Sequence, residues 1–465
     1  VVSPPGRRMP VVLLAAASVE PVGPVATGMD RVAWAMLDIP GTVVVRHDLT
    51  ALHEGIVRRT VWYGTPVGRM AALSGVLDHR AVTTVHELAH GCVSCTLRAD
   101  LLPLLCLLSM RDSVRRIVIL LDPAFEAEAV CHAIEHVVVA GVAGRVDGPA
   151  GRSVRVEAVL TGLDAHTWPA DAIGDDMLKE RGLSADDERT VAQVAVGQVE
   201  FADAVLIFAP DPFAGGDRAR LMAILDRLVP QAPVDWLDEA VGSGAVGAGK
   251  EGPACARIEG LLARIAGDSR RGRIFDAHAP LLRGRPPLDT EYGVTLVEFA
   301  AGRPFHPERL HEALDVLFDG VVTARGRIWL ATQPHDAVWL ESAGGGLRVG
   351  GAGPWLAAMT PEEFADADPD RRALAALRWD EHFGDRDISL TILVCDADPD
   401  DIRHALHWAL VDDAELELMR TAPELVARWS DPFGDWHEDP CDSAASEEPE
   451  TSASPHGARN REAEQ

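Results

Sequence analysis

The stretch Val11-Val-Leu-Leu-Ala-Ala-Ala-Ser-Val-Glu-Pro-Val-Gly23 decides the fold. Four bulky apolar residues, Val11 to Leu14, run without a polar interruption and then give way to small residues, Ser, Glu, Pro and Gly. So short and continuous a run reads as a strand covered on both faces, the habit of parallel sheets. The same kind of run recurs at Thr42–Arg46, Arg116–Leu121, Val154–Leu160 and Ala204–Phe208. Helical patterns at Leu101–Ser109, Phe125–Val139 and Arg218–Leu228 fall between them. Strand alternating with helix predicts an α/β fold built on a parallel sheet, over residues 1–235. Arg7-Arg8 ahead of Val11–Ala17 has the outline of a short secretory signal, but a buried first strand is the better reading.

Pro230, Pro233 and the glycine-rich Val241–Gly252 mark a linker, taken as residues 236–288. A second, smaller α/β unit is expected over 289–436. It opens with a strand at Val294–Phe299 and a helix from Pro307 to Phe318, with Pro307 at the first helical position. Strands at Arg327–Thr332 and Val338–Ser342 follow, the latter entering a glycine hairpin at Gly344–Gly346. Thr360-Pro-Glu-Glu363 reads as a capping box. Ser389–Cys395 is the last strand, and Asp398-Pro399 opens a helix through Leu410. Residues 437–465 are rich in Ser, Glu and Ala without apolar periodicity, and are expected to be a disordered acidic tail.

The chain has 465 residues and a net charge of −29. That balance argues against direct DNA binding, since phosphate contacts need local positive charge. Arg270, Arg271, Arg273, Arg283 and Arg285 form one basic cluster, read as a solvated connector or as contact with an acidic partner or ribosomal RNA. No run approaches the length of a membrane span. Seven scattered cysteines are no disulfide framework and fit a reducing cytoplasm. Two of them stand in Glu87-Leu-Ala-His-Gly-Cys-Val-Ser-Cys-Thr-Leu-Arg-Ala-Asp-Leu-Leu102. Cys92 and Cys95 have the C-x-x-C spacing that lets both sulfurs face one zinc ion. His90 is the nearest candidate for a third ligand, with His86 four residues behind. A redox dithiol is the other reading, because a helix start lowers a thiol pKa. Cys106, Cys131 and Cys395 lie in apolar runs and read as buried small hydrophobes. His306 reads as a helix-entry contact or a lid.

These residues resemble the CobW-like family of P-loop GTPases and metallochaperones over roughly residues 10–436. The family's thiol motif, G-C-x-C-C, is matched at Gly91, Cys92 and Cys95, with Ser94 in place of the middle cysteine. Gln198-Val-Glu-Phe-Ala-Asp203 is similar to the segment before the family's base-recognition loop. Arg303-Pro-Phe-His-Pro-Glu-Arg-Leu310, Gly326-Arg-Ile-Trp-Leu-Ala331 and Gly384-Asp385-Arg386 are similar to its C-terminal domain. The resemblance implies a P-loop-NTPase-like parallel-sheet domain followed by a CobW C-terminal α/β domain.

The nucleotide motifs are degenerate. A phosphate loop needs G-x-x-x-x-G-K-[ST], whose backbone cradles phosphates and whose Lys neutralises them. Here Ala15 to Gly23 carries no Lys, and Glu20 repels a triphosphate. Ile117-Val-Ile-Leu-Leu-Asp-Pro123 puts Leu120 and Pro123 where the family has its acidic, glycine-containing turn. Asp122 is a turn residue or a substitute metal ligand. Of the guanine-reading motif only Asp211 survives, a weak nucleotide contact on its own. Strong hydrolysis of GTP with Mg2+ is therefore not expected, and zinc is the expected cofactor. The ending Trp429-Ser-Asp-Pro-Phe-Gly-Asp-Trp436 resembles an actinobacterial branch of the family. That branch implies a zinc-linked adaptor that brings a ribosome hibernation factor to the ribosome when zinc is scarce. The alternative is a GTP-dependent metallochaperone delivering zinc or cobalt to a client.

Overall fold

A computed structural model describes residues 8–20, 23–64, 80–88, 92–181, 187–209, 213–237, 253–282 and 284–434. The first sheet is built from β1 (Met9–Ala16), β2 (Thr42–Asp48), β3 (Ile56–Tyr63), β4 (Arg80–Glu87) and β5 (Arg116–Leu120). A two-residue pair, β6 (Val138–Val139) and β7 (Gly148–Pro149), precedes its remaining strands, β8 (Val154–Asp164), β9 (Ala204–Phe208) and β10 (Val234–Leu237). The order is β10-β9-β8-β1-β5-β2-β3-β4. From β10 to β2 neighbours run parallel, whereas β3 and β4 extend the sheet antiparallel. The apolar runs mark the parallel strands because those are covered on both faces. Val11 and Leu13 of β1 face a core shared with Leu101, Leu105 and Ile134, and Val12 and Leu14 face one shared with Val32 and Met36 of the helix Pro24–Leu37.

The second sheet holds β11 (Val294–Ala301), β12 (Val321–Ile328), β13 (Asp336–Ala343), β14 (Gly346–Pro354) and β15 (Ile388–Cys395). Its order is β11-β15-β12-β13-β14, antiparallel throughout. The capping box at Thr360 forms as expected, and Asp398 caps the helix Pro399–Trp408. The strand expected at Arg327–Thr332 is displaced. Pairing with β15 begins at Val321 and ends near Ile328, because the buried run Val321–Ala324 takes the ladder. Trp329 to Ala331 leave it to bond Phe305 instead.

The two sheets share a core. Ala192, Leu221 and Leu225 from the first half pack in one cluster with Val294, Val322 and Leu393 from the second. Arg325 pairs with the buried Glu200 at 2.9 Å. Arg220 donates to the Cys395 sulfur at 3.0 Å. Gly345 N–H donates to Gly174 O at 3.0 Å, so the glycine hairpin after β13 docks on the first half.

Arg270 and Arg271 of the basic cluster tie the connector down, whereas Arg273 and Arg285 are exposed, as a solvated connector requires. Arg271 N–H donates to Asp203 and its guanidinium to Glu157 O. Arg270 lies over the rings of Phe201 and Phe275, and Arg273 bonds backbone carbonyls; Arg283 lies outside the described residues. His306 stacks on Trp429 at the helix entry, centroids 4.7 Å apart. Among the described residues no helix is long and apolar enough to cross a membrane.

His278, in the same connector, lies against Trp355 with ring centroids 5.3 Å apart. Burial, aided by Arg371, pushes its pKa down to about 4. The unfolded chain therefore takes up a proton at higher pH than the folded one. This contribution is intact above about pH 6.5 and is lost as pH falls toward 4, by at most about 3 kcal/mol. The variant His278→Phe is expected to flatten the fall in unfolding midpoint between pH 7 and pH 4.5, read by thermal melts.

Candidate functional site

Cys92 caps the short helix Val93–Thr96, and its sulfur accepts the Cys95 N–H at 3.3 Å. Both thiols are half-buried and outside any disulfide, and one helical turn presents them together. The helix continues through a π turn, Leu97–Leu101, into Leu102–Ser109, which carries the Leu101, Leu102 and Leu105 side chains into the core. A π turn is uncommon and is frequently kept where function needs it.

Asp100 sits in that turn, 4% exposed. One carboxylate oxygen lies 2.7 Å from Nε2 of His47, itself 1% exposed. The other pairs with Arg59 and lies 3.1 Å from Nε2 of His86, out of line for a hydrogen bond. One acidic side chain thus fastens the thiol-bearing helix to β2, β3 and β4. The sequence reading missed His47, Arg59 and Asp100. Its available signal was an acid among Leu97, Leu101 and Leu102, where burial demands a partner.

His90 and Asp211 lie outside the described residues. Among the described residues no three His, Cys, Asp or Glu side chains are grouped to hold a metal ion. Zinc prefers four soft or borderline ligands. Cys92 and Cys95 fit half of that set, and among the described residues no group completes it.

Ala17 N–H donates to Gly162 O at 2.8 Å, and Val19 is buried against Leu178, Val191 and Val194. Pro24 begins the following helix after Gly23, with no basic residue in its first turn. The Phe208 ring, at the end of β9, lies against Gly28, Met29 and Gly162. Open α/β sheets bind ligands in a crevice at the carboxyl ends of their strands. Val19 and Phe208 both lie on that side of the sheet, just past β1 and at the last position of β9. Asp122 is a turn residue: its carboxylate accepts Ala124 N–H at 3.1 Å and Leu49 N–H at 3.4 Å. Burial pushes its pKa up.

Residues 294–410 match the family described as cobalamin synthesis protein cobW C-terminal domain. The chain is similar to the zinc chaperone Rv0106 of Mycobacterium tuberculosis, 45% identical over 412 residues, covering 89% of this chain and 92% of the relative. It is also similar to zinc-regulated GTPase metalloprotein activator 1 of Dictyostelium discoideum, 23% identical over 361 residues, covering 76% of this chain and 71% of that one. The Zn(II)-bound YjiA GTPase from E. coli aligns at 12% identity with a TM-score of 0.33, over 87% of this chain and 100% of that one, a likeness too distant to carry an argument.

Proposed function

The chain belongs to the CobW-like family, and from that premise we propose that it handles zinc through Cys92 and Cys95 without turning over GTP. The observation that carries this reading is the contrast between the two sites. The thiol pair is half-buried on a helix anchored by Asp100, while the phosphate-loop position carries no Lys and its Val19 packs inward. The name of the mycobacterial relative, zinc chaperone, supports a metallochaperone-type role. Under this reading zinc occupancy sets affinity for a protein partner in the cytoplasm. The finer proposal, an adaptor recruiting a ribosome hibernation factor to the ribosome under zinc limitation, rests on resemblance to that branch of the family.

The test is zinc titration of the reduced, full-length chain with a competing chelator dye. Replacing Cys92 and Cys95 together by Ser is expected to weaken zinc on the order of 100-fold or more. Equal affinity in the double variant would overturn the site. Calorimetry with Mg-GTP, with and without zinc, is expected to show no binding heat. Micromolar binding would instead restore the GTP-driven metallochaperone.

A further inference from the structure

Beside the second sheet, away from the thiols, lies a cavity of about 310 Å3 between the residues after β12 and the helices Asp413–Thr421 and Pro423–Val426. Its aromatic side is Trp329 and Phe383, ring centroids 5.1 Å apart, and Met419 and Val426 add apolar surface from the helices. Its basic lining is Arg386 and Arg420, beside His382, with no acidic residue among the lining side chains. In a chain of net charge −29, such a basic pocket runs against the average.

Both arginines meet Phe383. Arg386 donates from Nε to Pro334 O at 2.7 Å and from Nη1 to Phe383 O at 2.6 Å. Those bonds hold the guanidinium in place, and burial pushes its pKa below the ordinary value against the pull of Asp385, whose carboxylate accepts the Leu356 and Ala357 N–H groups. Arg420 lies over the Phe383 ring at 5.3 Å, pairs with Glu417 at a long 3.8 Å and acts on the Asp380 carboxylate from a distance. The nearby Asp431 carboxylate is engaged by Thr332 and Gln333. Trp329 is fully buried, and its indole N–H finds no acceptor. A buried donor without an acceptor is a standing cost that a bound acceptor removes.

We propose that this cavity docks an acidic peptide segment of a partner protein. One large apolar side chain enters against Trp329 and Phe383, and its flanking carboxylates meet Arg386 and Arg420. The volume lies at the bottom of the range for small-ligand sites, enough for one large side chain. Two separated guanidiniums beside an aromatic wall suit carboxylates around an apolar anchor, the pattern by which interfaces bury aromatic hot spots under a polar rim.

The test uses the full-length chain and two fluorescein-labelled probes, Glu-Glu-Trp-Glu-Glu-amide and Lys-Lys-Trp-Lys-Lys-amide, followed by anisotropy. The acidic probe is expected to bind with Kd below about 1 mM, more weakly as salt rises, and the basic probe not to bind. Arg420→Glu is expected to lower affinity about tenfold or more with an unchanged circular dichroism spectrum. Arg420→Gln is the milder second variant should the first fold poorly. Trp329→Phe keeps the ring wall and removes the donor, and is expected to weaken the acidic probe about threefold. Equal binding of the two probes, no binding at 1 mM, or indifference to both Arg420 variants would overturn the proposal. Arg420-dependent competition by a polyuridylate oligomer of equal affinity would overturn it too, by reassigning the pocket to nucleic acid.

Discussion

Asp100→Ala is expected to destabilise the chain by about 3 kcal/mol or more, and to weaken zinc at Cys92 and Cys95 in the same protein. The side chain removed is the partner of Arg59 and of the buried His47. Arg59 is 16% exposed on its side chain, so little water is available to replace the lost carboxylate. Breaking one partner out of a buried pair leaves the other as an uncompensated charge, which is why such losses exceed the value of the pair itself. The zinc effect follows from position. Asp100 joins the π turn to β2 and β3, and the thiols head the same helix, so its loss frees the turn that holds both sulfurs toward one point. Asp100→Asn separates charge from shape: it keeps an acceptor for His47 and loses the ion pair, and should fall between alanine and the parent. Urea unfolding and chelator competition read the two effects. A change in unfolding free energy below about 0.5 kcal/mol would remove Asp100 as the anchor.

Gly326→Ala is expected to cost about 3 kcal/mol or more, enough to lower soluble yield sharply. Gly326 is central in β12, between β13 and β15, at φ 149. Side chains other than hydrogen rarely adopt that backbone, and strain of this kind amounts to about 1–3 kcal/mol. A Cβ would also come within 2.0 Å of Ser389 O and 2.8 Å of a Leu281 methyl. Ser389 O is backbone of the paired strand, so it cannot swing aside as a side chain does. Relief requires pulling β12 off β15. Gly350→Ala in β14 is the control, since nothing lies within 4 Å of its Cβ position and its φ is unexceptional. Its unfolding midpoint should stay close to that of the parent, while Gly326→Ala shifts strongly.

The parallel strands were legible in the sequence because burial on both faces writes a continuous apolar run. Ala204–Phe208 has the same bounds in sequence and structure. β3 and β4 carry no such mark: Arg58, Arg59, Thr60, Thr83 and Thr84 leave their faces half in solvent, and alternation that weak resembles a loop. At the site, spacing alone singled out Cys92 and Cys95. His47 and Asp100 are 53 positions apart, and only the sheet order brings β2 against the thiol helix. The missing Lys of the phosphate loop was visible, but that Val19 turns inward depends on where the helix Val191–Glu200 lies.

The common core of the two sheets makes stability a shared property. With Val294, Val322 and Leu393 packed among Ala192, Leu221 and Leu225, neither sheet can melt and leave its neighbour dry. Heat is expected to unfold both in a single cooperative step. Whatever binds the folded form at one end raises the melting point at the other, by mass action alone. Zinc on the thiols can then be heard at the far sheet as protection from proteases and from hydrogen exchange, with no moving part between them.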